Sequence, residues 1–170
     1  PIPAAKAPTL RCRLASHRAC APTNAMSSQP PSHRHHYRVR AIYRDTDQMG
    51  VVYYGNYFGW MEAARTEYLR ALGWSYHQME ATGLFLPVIH ASCDYKAPAR
   101  YDDIVVITSW LAELTRVRLE FRYEMQIEGR EGVIAEGLTR HIFTGPDWKP
   151  RRASHEVVAC LRREGPPPAP

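Results

Sequence analysis

Val117-Arg118-Leu119-Glu120-Phe121-Arg122-Tyr123-Glu124-Met125-Gln126-Ile127-Glu128 alternates apolar and polar residues without a break. Side chains leave a strand on opposite faces with a period of two, so the segment reads as a strand with its apolar set buried and its polar set wet. Gly129-Arg130-Glu131-Gly132 supplies a hairpin turn, and residues 133–144 are expected to return as the final strand. Upstream, residues 103–112 carry Ile104, Val105, Val106, Ile107 and Trp110. Residues 84–95 form another apolar, β-rich run, joined to them by a turn through Ala97-Pro98-Ala99-Arg100.

The period changes over residues 56–72, where Tyr57, Trp60, Met61, Ala64, Tyr68 and Leu72 share one helical stripe. Asn56 is the expected N-cap and Gly73 stands where a C′ glycine belongs. Ser75 to Thr82 suggests a short helix ended by Gly83, and residues 37–43 alternate Tyr37, Val39, Ala41 and Tyr43 against Arg38 and Arg40, as a first strand. The order is strand, helix, then four strands, with no internal repeat. A long amphipathic helix needs a sheet to cover its stripe. One antiparallel sheet of about five strands wrapped around a long central helix satisfies both surfaces: an α+β chain in the hotdog arrangement.

The 170 residues fit one domain, and 45% apolar with 23% charged residues is ordinary for a globular protein. No run approaches the ~20 apolar residues that span a bilayer, so no stable membrane insertion is expected. The net charge of +5 is unevenly placed. Eight cations and no anion precede Asp45, so the other 14 cations face 17 anions. A nucleic-acid-binding domain carries its charge on folded elements, so no nucleic-acid partner is expected. Cys12, Cys20, Cys93 and Cys160 have neither metal spacing nor a disulfide framework, and Cys93 is expected as a buried thiol. These features favour the cytoplasm and no cofactor.

Residues 1–35, rich in Pro, Ala, Ser and Arg, read as a disordered extension, residues 36–160 as the folded domain, and 161–170 as a second tail. The acid-free N-terminal composition is that of a transit peptide, but it lacks amphipathic spacing, so Met26 is preferred as the true start. His33, Arg34, His35 and His36 read as a solvated tail rather than a metal site.

Asp45-Thr46-Asp47-Gln48-Met49-Gly50 is a polar loop between the first strand and the helix, with Val51 to Tyr54 as a short apolar link. An acid here stands beside unpaired N–H groups and the positive end of a helix dipole. Thioester cleavage needs a carboxylate that attacks or activates water, and aimed donors for the oxyanion. Taken alone, an Asp in such a loop is more commonly a turn former.

The longer string from Tyr43 through Asp47, Tyr54, Asn56 and Tyr57, continuing with Trp60, Glu62, Ala63 and Arg65, resembles the 4-hydroxybenzoyl-CoA thioesterase family, which includes the Tol-Pal-associated acyl-CoA thioesterases. The likeness runs through Leu72-Gly73, Pro87-Val88 and Tyr95-Lys96-Ala97-Pro98 to Tyr101-Asp102-Asp103, over roughly residues 36–155. It implies an acyl-CoA thioester hydrolase in which Asp47 is the catalytic carboxylate and the backbone amide of Tyr54 polarises the thioester carbonyl. Many relatives carry His at position 54, a departure that touches side-chain proton transfer but not the amide. Asn56 and Tyr57 match residues shaping the helix entry. Glu62 matches a position that contacts the acyl hydroxyl in the hydroxybenzoyl-specific member, and it does not establish an aromatic substrate.

Asp45 reads as a loop organiser, Glu62 and Arg65 as a helical pair, and His90 and His141 as structural strand histidines. Lys96, Arg100 and Arg116 flank turns and are candidates for the phosphates of coenzyme A. No Gly-rich phosphate loop, serine nucleophile motif or zinc spacing occurs. Edge pairing along residues 84–95 predicts a homodimer, or a homotetramer built from two dimers, with active sites between subunits. A non-catalytic acyl-CoA-binding or scaffold protein is the alternative reading, kept open by Tyr54. A dehydratase is disfavoured because no His follows Asp47 before His77.

Overall fold

The structure is a computed structural model and describes residues 33–162. Residues 1–32 and 163–170, with the Met26 start, Cys12 and Cys20, lie outside the described residues; within them the tail readings are corrected, since His35 and His36 open β1 and Leu161 is buried at the end of α3. Along the chain run β1 (His35–Arg40), a 3-10 turn at Tyr43–Asp45, α1 (Asn56–Ala71), α2 (Tyr76–Ala81), β2 (Val88–Tyr95), β3 (Ile104–Leu114), β4 (Arg118–Ile127), β5 (Val133–Ile142) and α3 (His155–Leu161). All neighbouring strands pair antiparallel in the order β1-β3-β4-β5-β2, and α1 packs across the sheet. This is the expected hotdog arrangement.

The two strongest periodicities land where the pattern placed them. Leu119, Phe121, Tyr123, Met125 and Ile127 of β4 are buried, and so are Tyr57, Trp60, Met61, Ala64, Tyr68 and Leu72. Tyr68 meets Phe121 edge to face at 5.1 Å, an arrangement the ring quadrupoles favour. At Gly137 of β5 the helix packs close against the sheet: a Cβ there would occupy the space of Met61 Sδ. Gly73 has φ +82 and lets the Trp74 amide donate to Leu69 O at 3.0 Å, closing α1.

Several expectations need correction. β1 stops at Arg40 because Asp45 Oδ2 accepts from the Ile42 amide at 2.9 Å and winds the chain into the 3-10 turn. Only Val88–Tyr95 of the run 84–95 joins the main ladder; Pro87 lacks a donor, and Phe85 pairs with Thr144 instead. Val117 is exposed in a turn that the Thr115 hydroxyl closes by accepting from the Val117 and Arg118 amides. Glu120 faces outward yet is buried between Arg122 and Arg140. Cys93 is only half-buried, on a strand that is otherwise exposed. Arg65 does not pair with Glu62 but turns under the helix, where its Nε donates to Tyr76 Oη at 2.6 Å. Helix α3 was not expected at all. Asn56 is not the N-cap of α1; Gly55 holds that position.

Candidate active site

The loop between β1 and α1 is a small hairpin whose backbone is almost fully committed. Thr46 bridges to Val52, the Asp47 amide donates to Val51 O at 2.9 Å, and the Gly50 amide donates back to Asp47 O at 2.9 Å. Gly50 completes this turn at φ +72, a conformation glycine adopts without strain. Asp47 begins the turn, and its Oδ1 accepts from the Met49 amide at 2.8 Å. The turn-former reading of Asp47 is therefore correct as geometry. It leaves Oδ2 with no donor among the described residues.

The helix entry is fastened to that hairpin from below. The Tyr53 amide and the Asn56 side-chain amide both donate to Asp45 O at 2.8 Å. The Asn56 amide in turn donates to Tyr53 O at 3.0 Å. Among the described residues the amides of Tyr54 and Gly55 donate to no protein acceptor, so they remain as donors at the positive end of α1.

Asp47, Tyr54, Tyr57 and Lys96 line one mainly apolar cleft of about 280 Å³, whose far wall is Tyr95 and Pro98. Tyr57 is buried, and its hydroxyl accepts from the Ala99 amide at 3.3 Å; burial pushes its pKa up. Tyr95 crosses from the end of β2, meets Tyr57 edge to face at 5.1 Å, and donates from Oη to Tyr54 O at 2.9 Å. Desolvation and the neighbouring Cys93 thiol push the Tyr95 pKa up, so it is a donor throughout the neutral range.

The sequence-predicted set is only partly assembled. Lys96 reaches the cleft wall while its Nζ pairs with Glu136 at 2.6 Å. Arg100 lies just behind the loop and donates to Gly50 O at 3.3 Å. Arg116 instead donates to Ala153 O at 3.0 Å, anchoring the segment before α3. Asn56 serves the loop rather than the cleft, and Glu62 is exposed on α1 away from the cleft lining. His141 is buried and hydrogen-bonded, as expected, whereas His90 is exposed. Tyr95 carried no expected role. Its place at the head of the Tyr95-Lys96-Ala97-Pro98 string marked it only as part of the family resemblance. A second hollow of about 310 Å³ is lined by residues of β2, β3, β4 and β5, Asp94, Arg122, Glu124 and Glu136 among them.

The family model described as Thioesterase superfamily matches residues 49–134. The acyl-CoA thioester hydrolase YbgC of Escherichia coli is 31% identical over 126 residues, covering 74% of this chain and 93% of the relative. Among solved structures, the DHNA-CoA thioesterase of Staphylococcus aureus is 36% identical with a TM-score of 0.67, over 70% of this chain and 80% of that one. A hypothetical protein of Thermus thermophilus is 37% identical with a TM-score of 0.70, over 75% of this chain and 96% of that one.

Proposed function

This chain belongs to the thioesterase superfamily and is an acyl-CoA thioester hydrolase, and on that premise we propose that Asp47 and the backbone amide of Tyr54 carry its chemistry. The observation that supports this assignment is their shared cleft: Asp47, a carboxylate with one uncommitted oxygen, lines the same apolar space as Tyr54, whose amide is unpaired among the described residues.

In this reading the thioester carbonyl oxygen sits against the Tyr54 N–H. Asp47 Oδ2 then either attacks the carbonyl carbon or takes the proton from an attacking water. Negative charge gathers on the carbonyl oxygen, where a donor aimed beforehand is worth ~2.7–4 kcal/mol. Collapse of the tetrahedral species breaks the C–S bond, and coenzyme A leaves as the thiolate and is then protonated; after direct attack a mixed anhydride remains on Asp47, and water cleaves it to the free acid and the regenerated carboxylate. The apolar walls take the acyl group. Lys96 and Arg100 stand on the side where the nucleotide of coenzyme A would lie, and Asn56 and Tyr57 hold the entry in shape.

We further propose a substrate contact for Glu62 on the family resemblance alone, as it is exposed on α1 outside the cleft lining. β2 is an edge strand with exposed Val88, Ile89 and Tyr95, which favours edge-to-edge pairing into a homodimer, with a homotetramer as the next level. The folded unit is taken as residues 36–160. We place the reaction in the cytoplasm, where thiols such as Cys93 stay reduced.

The test is Asp47→Asn assayed on a panel of short, long and aromatic acyl-CoAs. Turnover should fall by roughly 10²- to 10⁴-fold while acyl-CoA affinity is retained. Full turnover in the variant would refute the assignment. An absence of turnover in the unaltered protein, with binding intact, would favour the scaffold reading.

A further inference from the structure

We infer that Tyr95 is a positioning residue for a second oxyanion donor, the Gly55 N–H, acting through the Tyr54 carbonyl; this rests on the role given above to the neighbouring Tyr54 amide. The peptide unit is planar. In a trans peptide the C=O and the following N–H point in opposite directions, so fixing one fixes the other. Two consecutive peptides form the entry to α1. The first, Tyr53–Tyr54, is held by its carbonyl, which accepts from the Asn56 amide at 3.0 Å, and it presents the Tyr54 N–H. The second, Tyr54–Gly55, is held by its own carbonyl, which accepts from Tyr95 Oη at 2.9 Å, and it presents the Gly55 N–H.

The two bonds differ in origin. The first comes from the backbone of the helix itself. The second comes from a side chain 41 residues away, on another element. Without it, rotation about Tyr54 ψ and Gly55 φ is opposed by little, because Gly55 has no side chain and Tyr54 is exposed. Such a rotation turns the Gly55 N–H away, while the Tyr54 N–H keeps the direction that the Asn56 amide gives its own peptide. The ring of Tyr95 is independently seated against Tyr57, whose hydroxyl is fastened to the Ala99 amide, so the phenol oxygen is delivered from a fixed base. The hydroxyl and the ring thus have separable duties: the ring builds the wall of the cleft and the hydroxyl orients the peptide.

That separation supplies the experiment, with kcat and KM measured on benzoyl-CoA and octanoyl-CoA. Tyr95→Phe keeps the ring and removes the hydroxyl. Its kcat should fall roughly 10- to 100-fold with KM within about twofold, short of the 10²–10³ lost when a donor is removed outright. Tyr95→Leu should be at least as impaired. A second readout is the infrared carbonyl stretch of ¹³C-carbonyl-labelled benzoyl-CoA bound to Asp47→Asn. The downshift caused by the donors should shrink in the Asp47→Asn/Tyr95→Phe double variant at unchanged Kd, an effect that a loss of packing would not produce. Tyr95→Phe with unaltered kcat, or with a change in KM alone, overturns the inference whatever Tyr95→Leu does. An unchanged stretch in the double variant overturns it as well. If Asp47→Asn retains full turnover, the parent assignment fails instead, and the two failures are distinguishable.

Discussion

The side-chain amide of Asn56, on the first turn of α1, donates to the backbone carbonyl of Asp45 over 2.8 Å, so the helix entry and the acidic loop move as one body. Asp45 O also accepts from the Tyr53 amide, so removing the side-chain bond does not orphan the carbonyl. Asn56→Ala should therefore cost only about 0.5–1.5 kcal/mol of stability, by chemical denaturation. Its kcat should fall further, roughly 10-fold to 100-fold, because small displacements of a reacting group are costly. Asn56→Asp, which sets a carboxylate against that carbonyl, should be worse than Asn56→Ala in both measurements.

The free oxygen of Asp47 allows attack or base catalysis, and single-turnover hydrolysis in H₂¹⁸O separates them. With enzyme in excess, direct attack followed by water attack on the Asp47 carboxyl carbon of the mixed anhydride places ¹⁸O in the Asp47 carboxylate in that one turnover and leaves the product acid unlabelled. Base catalysis puts the label straight into the product acid. Mass spectrometry of the acid and of the peptide containing Asp47 reads the result.

His141 predicts an acid-labile core. Its Nδ1 donates to Leu86 O at 3.3 Å, so Nε2 accepts from the Thr139 hydroxyl at 2.9 Å and the ring is neutral. Burial, with Arg65 as a second cause, lowers its pKa to about 4. The unfolded chain protonates this group near 6.5, so between those values the unfolded state binds more protons and stability falls as pH falls. The loss should be on the order of 3 kcal/mol across pH 6.5 to 4, and level outside that window for this group. Urea denaturation of His141→Gln should show a shallower slope there than the unaltered protein.

The contact between Gly137 and Met61 makes a double-variant prediction. Both sit in the fully packed interface between α1 and β5, so Met61 cannot swing into solvent. Gly137→Ala should destabilise by about 1–3 kcal/mol through overpacking. Met61→Ala in the same chain should recover part of that, giving a coupling energy that thermal or urea unfolding measures.

Strand β4 and the stripe of α1 were legible because each keeps one period over ten or more residues with a single buried face. Shorter elements were not. Helix α3 spans only His155–Leu161, and its signal was the Ser154 hydroxyl accepting from Val157 N ahead of a buried Val157, Val158 and Leu161. Glu120 obeyed the alternation but not the burial rule, since two arginines on the wet face close over it. At the site, the acidic loop and helix entry were readable because they are contiguous. Tyr95 was not, because periodicity gives the face of a strand residue but not the long-range partner that its tip reaches. The Glu62–Arg65 spacing suggested a surface pair, yet the buried hydroxyls of Tyr76 and Tyr123 beside Arg65 draw the guanidinium inward.

That inward arginine acts as a peg. Among the described residues Arg65 has no carboxylate partner, and its cation is met by phenol oxygens beneath α1. Sliding the helix along the sheet by one turn, about 5.4 Å, would carry the charge off those oxygens into hydrocarbon, at a penalty of several kcal/mol. An apolar stripe alone tolerates such slippage far better, since one greasy surface resembles the next. The guanidinium therefore sets the axial stop of the rod, and the tolerance of the amide pair at its tip, about 14 Å away, is gauged from a point that never meets substrate.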